Sequence, residues 1–375
     1  MKNKKITALL LSLLIIIALL TGCSTNEKEP EPAAAGTGQI IEAVYPQNNS
    51  TVSLHTEKQE AFLNKSFTMM PLTAKGTKEL SKPQGIELQW VFTKDDGNAQ
   101  YTVLLSEEED MSAPITYVTE SESIVITNLK IAEDYYWTVS TGDYISTVSH
   151  FTTDGTPPRN IDVDGVKNVR DLGGWQTVNG SRTKQGLIYR CGRLNESSAD
   201  SIVIEITDSG QKTMLNDLGI KSEIDLRKVY DNEVGKITSS PLGSSVTYYA
   251  CPMEWEGDIF NQNKEQILKV FEILSDESNY PLIFHCNIGT DRTGMIGFLI
   301  NALLGVPEEE LQKDYMFSNL ADIGGLRRAK QQRNSAYYEA VMAADGEELS
   351  DKAYNCLADF GVPEEQLDKV IEILS

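Results

Sequence analysis

A cysteine six positions before an arginine, with a glycine between them, can bind an anionic group and attack it. Leu282-Ile-Phe-His285-Cys286-Asn287-Ile288-Gly289-Thr290-Asp291-Arg292-Thr293-Gly294 has this form. The apolar residues before His285 read as a buried strand, and the spacing from Thr293 to Leu304 reads as a helix. A tight loop entering a helix N-terminus offers backbone N–H donors and the positive end of the helix dipole, which suits a phosphate dianion. Gly289 allows the turn, and Arg292 at its end grips two phosphate oxygens. The phosphate-binding set is therefore Asn287, Ile288, Gly289, Thr290, Asp291 and Arg292. The same field draws the Cys286 thiol, ordinarily of pKa about 8.5, toward the thiolate. The thiolate then attacks phosphorus in line, and water hydrolyses the cysteinyl-phosphate without metal or other cofactor. Thr293 eases departure of the sulfur, and His285 orients the loop.

Further stretches share a pattern with this loop. His285-Cys286-x-x-Gly289-x-Asp291-Arg292-Thr293-Gly294 resembles the HCxxGKDRTG loop of the bacterial tyrosine phosphatases, the mycobacterial protein-tyrosine phosphatase B type and lipoprotein phosphatases among them. Asn168-Val-Arg170-Asp171-Leu-Gly-Gly174 is similar to the family's NxRDLGG element. Gly186-Leu-Ile-Tyr-Arg190 is similar to GxLYRSG, with Cys191 in the serine place. Leu218-Gly-Ile, then Ile224-Asp-Leu-Arg227 with Glu233, resembles LGIxxxIDLRxxxE, and Tyr315-Met-Phe-Ser-Asn319 resembles YLLSN. In order and spacing these cover residues 160 to about 320. The resemblance implies a cysteine phosphatase with Cys286 as nucleophile. Arg170, Asp171, Arg227 and Glu233 brace the loop or line the site.

Two residues compete to protonate the leaving oxygen. The resemblance gives that role to Asp291. Met253-Glu-Trp-Glu-Gly-Asp258 instead resembles the tryptophan-and-aspartate lid of eukaryotic tyrosine phosphatases, which makes Asp258 the second candidate. Thr290 stands where relatives often carry lysine. That lysine suits doubly phosphorylated inositol lipids, so Thr290 ranks phosphotyrosine or another monoester first and leaves an inositol phosphate or phosphoinositide as the alternative. A surface binding protein with an inactive phosphatase domain is the third reading. Leu326-Arg-Arg-Ala-Lys330 with Arg333 either steers an anionic substrate or is a solvated helix face.

The elements that must position this chemistry fall in the second half of the chain. Glu223–Leu226 and Pro281–Phe284 read as buried strands, while Thr213–Leu218, Lys264–Leu274, Thr293–Leu304 and Pro307–Asn319 carry helical spacing. An α/β domain with a largely parallel sheet is expected over 157–375. Before it, residues 39–156 show short alternating strands such as Gly85–Phe92 and Tyr101–Leu105. Trp90, and Leu129 six residues before Tyr135, resemble a fibronectin type III or Ig-like sandwich, its tyrosine capping a corner. Trp90, Tyr135, Tyr136 and Trp137 read as core and corner residues more readily than as a carbohydrate-binding strip. A wall or host ligand is the partner such a sandwich would take.

Composition sets the outer limits. The 375-residue chain carries 33 Lys and Arg against 55 Asp and Glu, a formal net charge of −22, which excludes nucleic acid as an electrostatic partner. The basic MKNKK, the apolar Ile6–Leu20 and Leu20-Thr-Gly-Cys23 read as a lipoprotein signal peptide over 1–22, with lipid on Cys23 and a flexible tether over 23–38. The rest is then expected on the extracytoplasmic side of a bacterial membrane, held there by the lipid alone. Cys191, Cys251, Cys286 and Cys356 are widely spaced, and with three histidines and no CxxC pair no metal site is expected.

Overall fold

The computed structural model describes residues 40–94, 97, 99–197, 202–228 and 238–375, without the side chains of 196–197 and 202–203. The signal peptide, Cys23, the tether and Glu233 lie outside the described residues.

Period-two alternation shapes the first unit. In Ile86-Glu-Leu-Gln-Trp-Val-Phe92 the residues Ile86, Leu88, Trp90 and Phe92 are buried and the three between them exposed, as a strand with one covered face requires. The strands are β1 (Ile41–Tyr45), β2 (Ser50–Val52), β3 (Ile86–Phe92), β4 (Tyr101–Ser106), β5 (Ile115–Thr119), β6 (Ser123–Ile126), β7 (Asp134–Thr141), β8 (Tyr144–Ile145) and β9 (Ser149–Thr153). They form one sheet ordered β1-β3-β6 and another ordered β2-β9-β7-β4-β5, with β8 beside β7. Both sheets contribute to one apolar core that includes Trp90, Tyr101, Trp137 and Phe151. The Tyr135 hydroxyl accepts a hydrogen bond from Lys130 N at 2.9 Å. Trp90, Tyr135 and Trp137 are buried, so they do not form an exposed aromatic strip.

Two helices interrupt this strand series, which the alternation alone did not suggest. They are α1 (Glu57–Leu63) and α2 (Met70–Thr73). Thr56 and Gln59 cap α1 reciprocally, a start signal present in the sequence as Thr-x-x-Gln. Phe62, Met70 and Ala74 bury their apolar side against Tyr315, Met316, Phe317 and Leu320 of the second unit.

The second unit contains β10 (Arg170–Asp171), β11 (Ile188–Cys191), β12 (Asn195–Ser197), β13 (Ile202–Ile204), α3 (Asp208–Lys212), β14 (Ser222–Asp225), β15 (Thr247–Ala250), α4 (Lys264–Leu274), β16 (Leu282–His285), α5 (Arg292–Leu303), α6 (Glu308–Phe317), α7 (Ala329–Arg333), α8 (Ala336–Ala343), α9 (Leu349–Phe360) and α10 (Glu364–Leu374). Its main sheet runs β10-β11-β16-β14-β15. β11, β16, β14 and β15 are parallel, and β10 pairs antiparallel at the edge. β11, β14 and β16 are buried at every position, so none shows the alternation of a half-covered strand, and the first two carry buried charged residues among their apolar ones. All twelve residues of α5 are buried, between the sheet and the helices α6 and α9. Among the described residues no helix is long and apolar enough to cross a membrane.

The two units meet at Arg159, which links a buried ion pair of the second unit to backbone carbonyls of the first. Arg159 Nη1 lies 2.8 Å from Asp171 Oδ2, and the same guanidinium donates to Leu129 O at 3.0 Å and Asn128 O at 2.6 Å. Asp171 also accepts from Gly173 N and Gly186 N. Removing one partner of a buried pair leaves a charge that neither water nor an ion answers. Arg159→Met is therefore expected to cost about 3–5 kcal/mol in urea unfolding. A loss below about 1 kcal/mol would show that the pair is not what fastens the units.

Candidate active site

β16 lies between β11 and β14, and its carboxyl end delivers Cys286 into the loop before α5. Ligands of open parallel sheets bind at such strand ends. Asn287 O accepts from Arg193 N at 3.1 Å, and Ile288 O accepts from Asn168 Nδ2 at 3.0 Å. Gly289 O accepts from Asn168 Nδ2 at 3.2 Å and Arg190 Nη2 at 2.8 Å. These donors draw the loop carbonyls outward. Among the described residues the N–H groups of Asn287 to Asp291 donate to no protein acceptor, so the loop keeps its donors for an anion. Gly289 has φ +70°, and a Cβ there would sit 2.4 Å from Cys191 O. Any side chain at 289 therefore collides with the end of β11.

The donors are themselves braced. Asp314 takes Arg170 Nε on one oxygen and Arg190 Nη1 on the other, both at 2.6 Å. Arg170 Nη1 also holds Asn168 Oδ1 at 2.7 Å, which aims the Asn168 amide at the loop. Burial opposes the Asp314 charge, but the two guanidinium groups outweigh it and hold the carboxyl below its usual range. Burial, then Arg170, pushes Arg190 down to about 10, which leaves it charged at neutral pH. Arg170 thus acts on the loop through Asn168 and Asp314, whereas Asp171 supports the junction between the units. In the sequence Asn168 and Arg190 stood out only as members of their motifs, with no role assigned, and Asp314 did not stand out at all.

Cys286 is 1% exposed. Burial would raise its thiol, but Arg292, the Thr293 hydroxyl and the Thr293 backbone N–H together carry it below its ordinary value. The Thr293 hydroxyl is buried with no oxygen or nitrogen partner among the described residues, which leaves it for the sulfur. Arg292 Nη1 is steered by Leu226 O and Met253 O, each at 3.3 Å. The other thiols are different. Burial pushes Cys191 far up, Cys251 up to about 12 and Cys356 up to about 11.

Beneath Cys286, His285 Nε2 meets Glu223 Oε1 at 2.9 Å, and Nδ1 lies 4.0 Å from Asp225 Oδ1. Burial disfavours the imidazolium, but Asp225 and Glu223 overcome it and raise the His285 pKa. Arg227 grips Asp225 at 2.6 Å and the Asn195 carbonyl at 2.8 Å. Glu223, Asp225 and His285 cluster closely enough to suggest metal ligation. Their charges are instead answered by one another and by Arg227. His285 and Arg227 are thus internal supports.

The two acid candidates sit differently. Asp258 is half-buried and accepts from Phe260 N, Asn261 N and Asn261 Nδ2, so its carboxylate closes its own turn and is held below its ordinary pKa by Asn261. Asp291 stands immediately before α5, makes no capping bond and lies 3.4 Å from Arg327 Nη2. Thr290 is fully buried, its hydroxyl donating to Ile288 O at 3.3 Å, so this side chain supports the loop from inside.

With this geometry in place, similarity to known proteins adds a family. The sequence profile described as the tyrosine phosphatase family matches residues 161–374. A Cupriavidus necator protein that bears a tyrosine-protein phosphatase name is 25% identical over 194 residues, which are 48% of this chain and 66% of that protein. A tyrosine-protein phosphatase of Nostoc commune is 33% identical over 66 residues, 18% of this chain and 21% of that protein. The chain spans less than two thirds of either relative. Among solved structures, the core catalytic domain of the PP-IP phosphatase Siw14 from S. cerevisiae, in complex with citrate, is 18% identical with a TM-score of 0.29, covering 40% of this chain and 82% of that one. TpbA from P. aeruginosa is 16% identical with a TM-score of 0.28, covering 46% of this chain and 87% of that one.

A lowered thiol pKa means that the thiolate persists as pH falls. At about pH 6.5, iodoacetamide should label Cys286 ahead of Cys191, Cys251 and Cys356, as read by peptide mass spectrometry. Arg292→Ala should move Cys286 labelling to higher pH. Equal labelling of Cys286 and Cys356 at that pH would contradict the electrostatics of the loop.

Proposed function

The chain belongs to the tyrosine phosphatase family, and on that footing we propose that it hydrolyses phosphomonoesters, phosphotyrosine first among them, through a cysteinyl-phosphate. The observation that carries the reading is a thiol held below its ordinary pKa despite full burial, inside a loop with free N–H donors. The Cys286 thiolate forms the S–P bond as the P–O ester bond breaks. Arg292 and the loop N–H groups take the phosphoryl oxygens, whose charge spreads most in the transition state. Asp291 gives its proton to the leaving oxygen. Water, activated by the Asp291 carboxylate, then attacks phosphorus and releases phosphate, with Thr293 hydrogen-bonding the departing thiolate. Asp291 is preferred to Asp258 because the Asp258 carboxylate is already committed to three donors of its own turn.

Burial of Thr290 inside the loop supports a substrate with one phosphate, since this position offers the mouth neither a charge nor an exposed side chain. The two-sheet unit, with its core tryptophans and its Tyr135–Lys130 bond, supports a fibronectin III-like sandwich over 39–156 joined to a catalytic domain over 157–375. The MKNKK–apolar–Cys23 order supports lipid anchoring outside the cytoplasmic membrane.

Cys286→Ser should lower hydrolysis of a phosphotyrosine peptide by about 10⁴-fold or more while leaving the unfolding midpoint near that of the parent. Unchanged turnover would sink the cysteine mechanism. A parallel panel including phosphoserine peptide and inositol phosphates decides substrate class, and preference for inositol phosphates by kcat/KM would overturn the phosphotyrosine assignment. For the anchor, Cys23→Ala should move the protein from the membrane to the soluble fraction in a bacterial host. Retention on the membrane would refute lipidation at that residue.

A further inference from the structure

The segment between α6 and α7 carries Arg327, and it is held from both halves of the chain. Asn319 clamps the Arg327 main chain, accepting from its N–H at 2.7 Å and donating to its carbonyl at 2.8 Å. The residues leading up to it bond to the first unit. Gly324 N donates to Gly76 O at 2.7 Å, Gly76 N to Asn319 O at 2.8 Å, and Leu80 N to Leu320 O at 2.6 Å. Asp322 N donates to Glu79 Oε2 at 3.0 Å. The fit is close: Gly76 has φ +63°, and a Cβ there would lie 2.7 Å from Gly325 O and 2.9 Å from Ile323 Cγ1. Beside this seam, α1 and α2 bury Phe62 and Met70 against Tyr315 and Phe317.

At the far end of the segment, Arg327 Nη2 reaches Asp291 Oδ2 at 3.4 Å. Asp291 needs an external hold, because its side chain makes no bond to its own helix and is 37% exposed. A carboxyl free to change rotamer spends part of its time turned away from any leaving oxygen, and small misplacements of an acid are costly in rate. A guanidinium on one oxygen restricts that motion and leaves the other oxygen to carry the transferred proton.

We propose that Arg327 positions Asp291 for proton transfer, and that residues 76–80 of the first unit hold the segment that carries Arg327. The acid step of the α/β unit is then governed by a piece of chain outside the region 161–374 that the family shares. This rests on the reading of Asp291 as the general acid. It also gives the N-terminal unit a catalytic consequence separate from any ligand it binds.

A general acid matters most when the leaving group is poor, so two aryl esters separate positioning from simple loss of structure. The full chain is assayed as parent, Arg327→Gln, Arg327→Lys, Gly76→Ala and Asp291→Asn on 4-nitrophenyl phosphate and phenyl phosphate. Arg327→Gln and Gly76→Ala should each lower kcat/KM, which reports the steps through cleavage of the ester bond, about tenfold on phenyl phosphate and less than about twofold on 4-nitrophenyl phosphate. Arg327→Lys should recover most of the loss, and the double variant Arg327→Gln/Gly76→Ala should be no worse than Arg327→Gln. Should Gly76→Ala fail to fold, Glu79→Ala serves in its place, with about a threefold loss confined to phenyl phosphate. Equal losses on both esters, or losses that multiply in the double variant, overturn the proposal. An Asp291→Asn enzyme that does not discriminate between the esters removes the general-acid reading beneath it. Discrimination by Asp291→Asn without discrimination by Arg327→Gln sinks the positioning role alone.

Discussion

A loop that keeps its N–H groups for an anion must send its carbonyls into the protein, and each buried carbonyl there needs a donor. That constraint organises the second unit. The Asn287, Ile288 and Gly289 carbonyls are answered by Arg193 N, Asn168 and Arg190. Buried cations in turn require an anion, which Asp314 supplies to Arg170 and Arg190 at once. Taking out Asp314 would leave two guanidinium groups facing each other in the interior. The ion network is thus the back wall of the Cys286 loop rather than an independent feature of stability.

The charge of the whole chain and the charge at the site have opposite signs. A net −22 repels a phosphate, though salt screens that effect beyond about a Debye length. Buried interactions are screened far less, so Arg292 and the helix start act on Cys286 at nearly full strength. The negative charges nearest the strand end, Glu223 and Asp225, are matched by His285 and Arg227. Their field is largely spent before it reaches the sulfur. Of the four described cysteines, Cys286 alone is both buried and shifted toward the thiolate.

The first unit is joined to the second by more than a linker. Arg159 ties the Asn128 and Leu129 carbonyls to Asp171, and Gln185 pairs both ways with the Ile131 backbone at 3.0 and 2.8 Å. On another face, α1 and α2 lie against α6. Polar bonds at one contact and apolar burial at the other restrain sliding in different directions. Support for the Arg327 segment depends on that double fastening.

Much of this was legible locally. The alternation in Ile86–Phe92 marks a half-covered strand, and the spacing over Lys264–Leu274 marks a helix with those same ends. The helices at 57–73 were hidden because they are short and their buried partners lie in the other unit, although the Thr56–Gln59 cap was in view. The Cys286–Arg292 loop is contained within seven residues between a strand and a helix, so residue type and spacing by themselves carried the chemistry proposed for it. The braces were not legible in this way. Arg190 reaches Gly289 across 99 positions and Arg170 reaches Asp314 across 144, and nothing in local sequence says which charge will answer which. Only the tertiary structure decided that Thr290 faces inward and that Asp291 meets Arg327. Each depends on which surfaces burial brings together, and that is a property of the packed chain rather than of any short stretch of it.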